Sequence, residues 1–229
     1  MGLVPFEGWD YDLAVAEQRR MAAQVVERGG LEGLRRVAGL DMALGRDGTT
    51  CVGAVVVWDC EERRVLERRV VWRRLEFPYV PGFLSFREVP VLVEALERVS
   101  YRVDVLMCDG QGRAHPRRLG LASHLGVLLD CVAVGCAKSL LVGSHDVLGE
   151  LRGSKAELVE REEVIGCVVR TRDRVRPVYV SVGHRISLLA ATELVLLCGE
   201  GRRIPEPTRL ADQLSKEARR MGSGWRPAG

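Results

Sequence analysis

The chain has 229 residues, 47% of them hydrophobic and only 5% aromatic, which is enough to bury a substantial Val-, Leu- and Ala-rich core in one α/β domain. No repeat or low-complexity tract divides it, and the longest apolar runs, such as Leu194 to Cys198, are far too short to span a bilayer. The net charge of +3 is too small to establish a polyanionic partner.

The distribution of charge says more than its sum. Lysine occurs only at Lys138, Lys155 and Lys216, so positive charge is mostly arginine, with pairs at Arg73-Arg74, Arg117-Arg118, Arg202-Arg203 and Arg219-Arg220. Arginine suits bidentate phosphate contacts, and solvated faces are the plainer explanation of such pairs. Seven cysteines without a Cys-x-x-Cys pair read as reduced core thiols, not disulfides or a zinc site. The N-terminal MGLVPFEGWDYD is acidic and lacks the regions of a signal peptide, so the expected location is the cytoplasm, with no membrane partner.

In chain order, Asp10 to Glu27 reads as an amphipathic helix with Leu13, Ala16, Met21 and Val25 on one side, stopped by Gly29-Gly30. Val37 to Leu40 is a short strand ending in Asp41; Cys51 to Trp58 and Val65 to Trp72 follow across short turns, giving a three-stranded antiparallel meander. Asp41 is either a solvated strand-end acid or one that a metal ion holds, since aspartate is costly to bury alone. Phe77 to Gly82 is a loop stiffened by two prolines, which displays Tyr79 either as a lid on the core or as a wedge between stacked bases. Ser85 then opens a helix through Val99, and Glu88, three residues on, fits a capping box as well as it fits a ligand.

The centre of the chain is VDVLMCDGQGRAHPRRLGLASHLG, from Val103 to Gly126. A buried strand delivers Asp109 into a Gly110-Gln111-Gly112 turn, followed by His115, Arg117, Arg118 and an apolar helix. Ligands of open α/β sheets bind beyond the carboxyl ends of strands, which makes Asp109 a candidate for chemistry; a backbone-capping turn aspartate is the alternative. Another strand, Cys131 to Ala137, ends on Lys138. Val164 to Arg170 and Pro177 to Val182 form a hairpin, Ser187 caps a helix through Cys198, and a last helix turns Leu210, Ala211, Leu214 and Ala218 inward and leaves Asp212 off that stripe. The expected organisation is one domain over 1–221 with a flexible tail, 222–229.

Three hairpin strands, a helix and then strand-helix-strand, with acids gathered at strand ends, is the ribonuclease H-like arrangement: a mixed sheet of an antiparallel meander plus parallel strands, flanked by helices. Two Mg²⁺ ions held by such carboxylates can serve an in-line phosphodiester displacement.

The segments VAGLDMAL, PYVPGFLSFRE, DGQGRAHPRRLGLASHLG, VGCAKSLL, SVGHR and RIPEPTRLAD together make the chain resemble the endonuclease V family over roughly Val37 to Ser215. The resemblance implies a DNA repair nuclease that recognises deoxyinosine and cuts the second phosphodiester bond on its 3′ side, leaving 3′-hydroxyl and 5′-phosphate ends. It implies that Asp41, Glu88, Asp109 and Asp212 form the site for Mg²⁺, with Mn²⁺ as a substitute, and that Lys138 is the catalytic lysine. Tyr79 would be the wedge, His115 and Arg118 would lie by the scissile phosphate and the lesion, and Gly82 and Gly110 would let backbone approach a flipped base. Two positions depart from the family pattern: Gln111 stands where His or Asn is usual, and Asp212 where some relatives have His. Inosine-containing RNA as the substrate, and a catalytically silent lesion-binding domain, are the alternatives. The expected state is a monomer.

Overall fold

The computed structural model describes residues 10–227. The signal-free reading of the N-terminus rests mostly on residues 1–9, and the expected tail includes 228–229; both stretches lie outside the described residues. Among the described residues eight strands form one mixed sheet in the order β3-β2-β1-β4-β5-β8-β7-β6. β1 (Arg36–Leu44), β2 (Thr50–Asp59) and β3 (Arg64–Arg74) are the expected antiparallel meander, while β4 (Val105–Cys108) runs parallel to β1 and to β5 (Ala133–Ala137). β6 (Lys155–Glu160), β7 (Glu163–Val169) and β8 (Val178–His184) close the far side antiparallel. The ribonuclease H-like expectation is met.

Side-chain alternation sorts the strands between two helical layers. Ala38, Leu40, Leu106 and Cys108 point to α2 (Leu84–Glu97) and α3 (Leu121–Leu129). Val37, Val105, Met107 and Val134 point to the opposite face, which α4 (Leu188–Leu197) covers, and Val52, Ala54 and Val56 meet α5 (Glu206–Met221) there. Gly39 lies under α5: a Cβ on it would stand 2.0 Å from the carbonyl oxygen of Pro207, so the helix seats directly on the strand backbone. Among the described residues no helix is long and apolar enough to cross a membrane.

Several local expectations need correction. β1 does not stop at Asp41; it continues to Leu44, with Asp41 paired to Ala54, because β2 supplies ladder partners to its end. α1 spans only Tyr11–Ala22, capped by Asp10, and its buried face is Ala14, Gln18 and Met21 while Leu13 is exposed. The chain leaves the helix early because tertiary bonds claim it: the Val26 N–H donates to Nδ1 of His184 at 3.2 Å, and Ser187 N–H to the Gly29 carbonyl at 2.9 Å. Ser85 caps nothing. α2 has Phe83 at its N-cap with no side-chain bond, and the buried Ser85 hydroxyl pairs with Nδ1 of His124 at 3.0 Å. β6, KAELVE, escaped prediction because an edge strand rich in charge carries little apolar signal. All seven cysteines are free, five of them buried.

Candidate active site

The register of the parallel pair places Leu40 beside Cys108, and the Asp109 N–H donates to the Leu40 carbonyl at 3.2 Å. The next residues, Asp41 and Asp109, therefore sit side by side and both face α5. From α5, Asp212 meets them: one carboxylate oxygen from each of Asp41, Asp109 and Asp212 lies within 4.8 Å of the others. Glu88, reaching in from α2 on the other layer, stands outside that tight trio but close enough for both Asp41 and Asp109 to act on its charge. All four side chains are only partly buried, as residues at the bottom of an open cleft must be.

Lys138, at the end of β5, donates to Asp109 and, at 2.8 Å, to Asp212, which also accepts from Lys216 at 2.7 Å. The Ser215 hydroxyl, one turn along α5 from Asp212, donates to Asp41. Electrostatics divide the acids. Burial pushes the Asp41 carboxyl up to about 6, with the Ser215 bond opposing and the neighbouring aspartates adding. Burial and then repulsion from Asp41 and Asp109 push Glu88 up to about 8. Burial raises Asp109 too, against its bond from Lys138. Asp212 goes the other way: desolvation is outweighed by the two lysines, which hold it below the usual carboxylate range. Desolvation also works against the Lys138 ammonium, and its hydrogen bonds to Asp109 and Asp212 overcome it, raising the group to about 12.

A cleft of ≈ 720 Å³ opens from Glu88, Asp109 and Lys138. One wall is the Tyr79 to Gly82 loop. Phe77 and Phe83 anchor that loop in a small aromatic core with Phe86, whereas Tyr79 between them is 69% exposed. Gly82 holds a left-handed φ of +82°, and its carbonyl accepts from Gln18 Nε2 at 2.8 Å and Arg117 Nη2 at 2.7 Å. His115 takes the Arg117 N–H on Nδ1 at 3.3 Å and adds a further bond to the Gly82 backbone; burial, with Arg117 next, lowers its pKa to about 4. The opposite lip, Ser139 to Leu141, is tied to the Asp109 turn by Gln111, whose Nε2 donates to the Ser139 carbonyl at 3.1 Å. Gln111 Oε1 is buried with no hydrogen-bond partner among the described residues.

Most of the residues singled out in the sequence thus meet in one place. Asp41, Asp109, Asp212, Glu88 and Lys138 form its acidic end, and Tyr79, Gly82, Gly110 and His115 line the cleft or its rim. Arg118 does not line it; its guanidinium pairs with Glu160 and Glu163, and Arg117 is the arginine that faces the cleft while stacking on Phe83, 4.4 Å from the ring centre. Sequence reasoning missed Gln18 and Ser215, and it named Arg117 only as half of an arginine pair while giving the role beside the lesion to Arg118. Gln18 is a fully buried amide within the polar run Glu17 to Arg20 of an amphipathic helix, and that is visible only once burial is known.

The sequence pattern that defines the family described as Endonuclease V matches residues 19–213. This chain belongs to the endonuclease V family. It is 48% identical to endonuclease V of Trichormus variabilis over 203 residues, 88% of this chain and 92% of the relative. Its fold superposes on crystalline endonuclease V from Streptomyces avermitilis with a TM-score of 0.89 and 39% identity, over 94% of this chain and 96% of that one. A Ciona intestinalis endonuclease V, crystallised with a 24mer DNA containing an inosine followed by a ribo-adenosine, is also similar: TM-score 0.80 and 26% identity, over 93% and 100%. The enzyme is therefore a nuclease. Its carboxylate trio offers only hard oxygen donors, an acidic set that can hold a metal ion.

Proposed function

We propose that this enzyme is a DNA repair endodeoxyribonuclease that recognises deoxyinosine and, as a monomer, hydrolyses the second phosphodiester bond 3′ to it, leaving 3′-hydroxyl and 5′-phosphate ends. The observation that carries this reading is the junction of two features: three converging carboxylates and a cleft with room for an extruded base, walled by a loop that Phe77 and Phe83 anchor and that displays Tyr79 to solvent. Inosine-containing DNA in the Ciona relative's crystal supports the choice of lesion.

Asp41, Asp109 and Asp212, with Glu88 completing the set, would hold Mg²⁺, with Mn²⁺ able to replace it. Bound there, the metal supplies Lewis-acid polarisation of the phosphodiester and eases ionisation of the attacking water. The chain's own residues do the rest. Ser215 fixes the rotamer of Asp41, and Arg203 grips the Lys138 carbonyl so that the ammonium points at the acids. Lys138 places a positive charge where the pentacoordinate phosphorus gains negative charge. Tyr79 fills the stack vacated by an extruded base, which the cleft receives between Gly82 and Gly110 and the Ser139 to Leu141 lip. Gln18, His115 and Arg117 hold the Gly82 carbonyl and thereby the wall that carries Tyr79.

One observation favours a second substrate. The Ciona complex has a ribose nucleotide directly after the inosine, so inosine in RNA is the competing reading. Asp109→Asn tests the catalytic assignment. It should lose strand cleavage by at least 100-fold while still binding a deoxyinosine duplex; normal turnover would remove Asp109 from the metal site.

A further inference from the structure

Two arginine pairs conspicuous in the sequence, Arg73-Arg74 and Arg219-Arg220, lie outside the site described above, yet the fold brings them together. α5 runs along β1, with Pro207 over Gly39, Ser215 against Asp41 and Arg219 and Arg220 beside the β1–β2 turn. There the two α5 arginines, Arg46 of that turn and Arg74 at the end of edge strand β3 enclose a second cleft of ≈ 500 Å³. These four arginines are exposed and have no carboxylate partner among the described residues. Arg35, Arg69, Arg73, Arg98, Arg113 and Arg118, by contrast, all end on Asp or Glu. In a chain whose charges nearly cancel, four such arginines face one carboxylate in the cleft wall, Asp47, which is engaged by the Thr49 and Thr50 N–H groups, so positive charge is locally in excess. The indole N–H of Trp72, in the wall of the cleft, also lacks an acceptor among the described residues.

Favourable interaction with the helix C-terminus accounts for Arg219 and Arg220 in the last turn of α5. It does not account for Arg46 and Arg74, which come from a turn and a strand.

We infer that this arginine cleft grips the sugar-phosphate backbone of duplex DNA on the 3′ side of the scissile bond, an assignment that rests on the nuclease function proposed above. The geometry sets the side. The lesion cleft lies over β4 and β5, the carboxylates at β1 and β4, and the arginines beyond β1 toward β3, so base pocket, cutting site and arginine cleft follow one another across the sheet. A strand cut 3′ to its lesion reaches the arginines after the cutting site. Two turns of α5 separate Asp212 from Arg219 and Arg220, about 10–12 Å. At about 3.4 Å of duplex per nucleotide, the contacted phosphates lie roughly three to four nucleotides beyond the cut.

The test is binding in EDTA, by fluorescence anisotropy, of an undamaged 25-base-pair duplex and of deoxyinosine duplexes ending either three or twelve base pairs 3′ to the lesion. The Arg219→Ala/Arg220→Ala double variant and, separately, Arg74→Glu should weaken binding of the undamaged and long-flank duplexes. The double variant should also make the slope of log K against log salt shallower by about 2, the loss expected for two phosphate contacts. The short-flank duplex should bind variant and parent equally. Unchanged slopes, equal losses on short and long flanks, or an effect of the α5 variant without any from Arg74→Glu would overturn the inference. So would inorganic phosphate or pyrophosphate occupying the cleft at submillimolar concentration, which would make it a small-anion site. A parent protein that binds no duplex at all would instead overturn the nucleic-acid function itself.

Discussion

Replacing Gly39 by alanine should separate catalysis from lesion recognition. The new methyl group would sit 2.0 Å from the Pro207 carbonyl oxygen and 2.1 Å from its carbon, both backbone atoms of α5, where ordinary contact begins at 3.4 Å. Neither atom can rotate away, so α5 must lift by about 1.4 Å, the difference between those two distances. Overpacking of this kind costs about 1–3 kcal/mol, which lowers the urea midpoint without unfolding the protein. The larger effect is on chemistry: α5 carries Asp212 and Ser215, and Asp41 and Asp109 stay on the sheet. A misplacement of about 1 Å in a reacting constellation costs on the order of 100-fold in rate. Single-turnover cleavage of a deoxyinosine duplex should therefore fall about 100-fold, while the ratio of affinities for damaged and undamaged duplex, set on the α2 and α3 side, stays at the parent value. A folded Gly39→Ala protein that cuts at the parent rate would refute the claim that close seating of α5 on β1 assembles the carboxylates.

Other perturbations read individual parts. Tyr79→Ala should reduce lesion-specific binding by about 1–3 kcal/mol, the worth of one base stack, in an EDTA binding assay; equal losses on damaged and undamaged duplex would make Tyr79 a backbone contact. Ser215→Ala should leave the urea midpoint nearly unchanged and slow single-turnover cleavage about tenfold, about 1.4 kcal/mol of barrier, and a parent-like rate would mean that Asp41 needs no fixing. His124 is buried against Phe86 and Ser85, and its burial lowers its pKa from 6.5 to about 4. Because the unfolded chain takes up that proton first, its contribution is complete above pH 6.5 and is lost as pH falls toward 4. His124→Asn should therefore lose less stability than the parent between those limits, by about 3 kcal/mol at most, in urea titrations across that range; superimposable acid limbs would contradict the assignment.

What the sequence disclosed and what it hid follow from the range of the interactions. β4 with Asp109 and β5 with Lys138 were legible because a short apolar run ending in one charged residue is a local pattern. The continuation of β1 past Asp41 was not, since the pairing that extends it comes from β2 and a half-buried acid looks like a terminus. Glu88 had the spacing of a capping box, but Ser85 is drawn away by His124, 39 residues further on. Ser215 and Gln18 act across separations of 174 and 64 residues, on Asp41 and on the Gly82 carbonyl, and no local spacing announces such partners. Arg118 beside Arg117 shows the same limit: adjacent arginines point to different places, one to an ion-pair network and the other to the cleft.

The most direct test of the whole account is strand cleavage of two end-labelled duplexes that differ by a single deoxyinosine, with Mg²⁺ and with EDTA, beside an RNA strand carrying one inosine. One Mg²⁺-dependent nick is expected in the damaged duplex, at the second phosphodiester 3′ to deoxyinosine, with none in its undamaged twin and weaker cutting of the RNA. Cleavage that persists in EDTA, or that ignores the lesion, would contradict the proposed function.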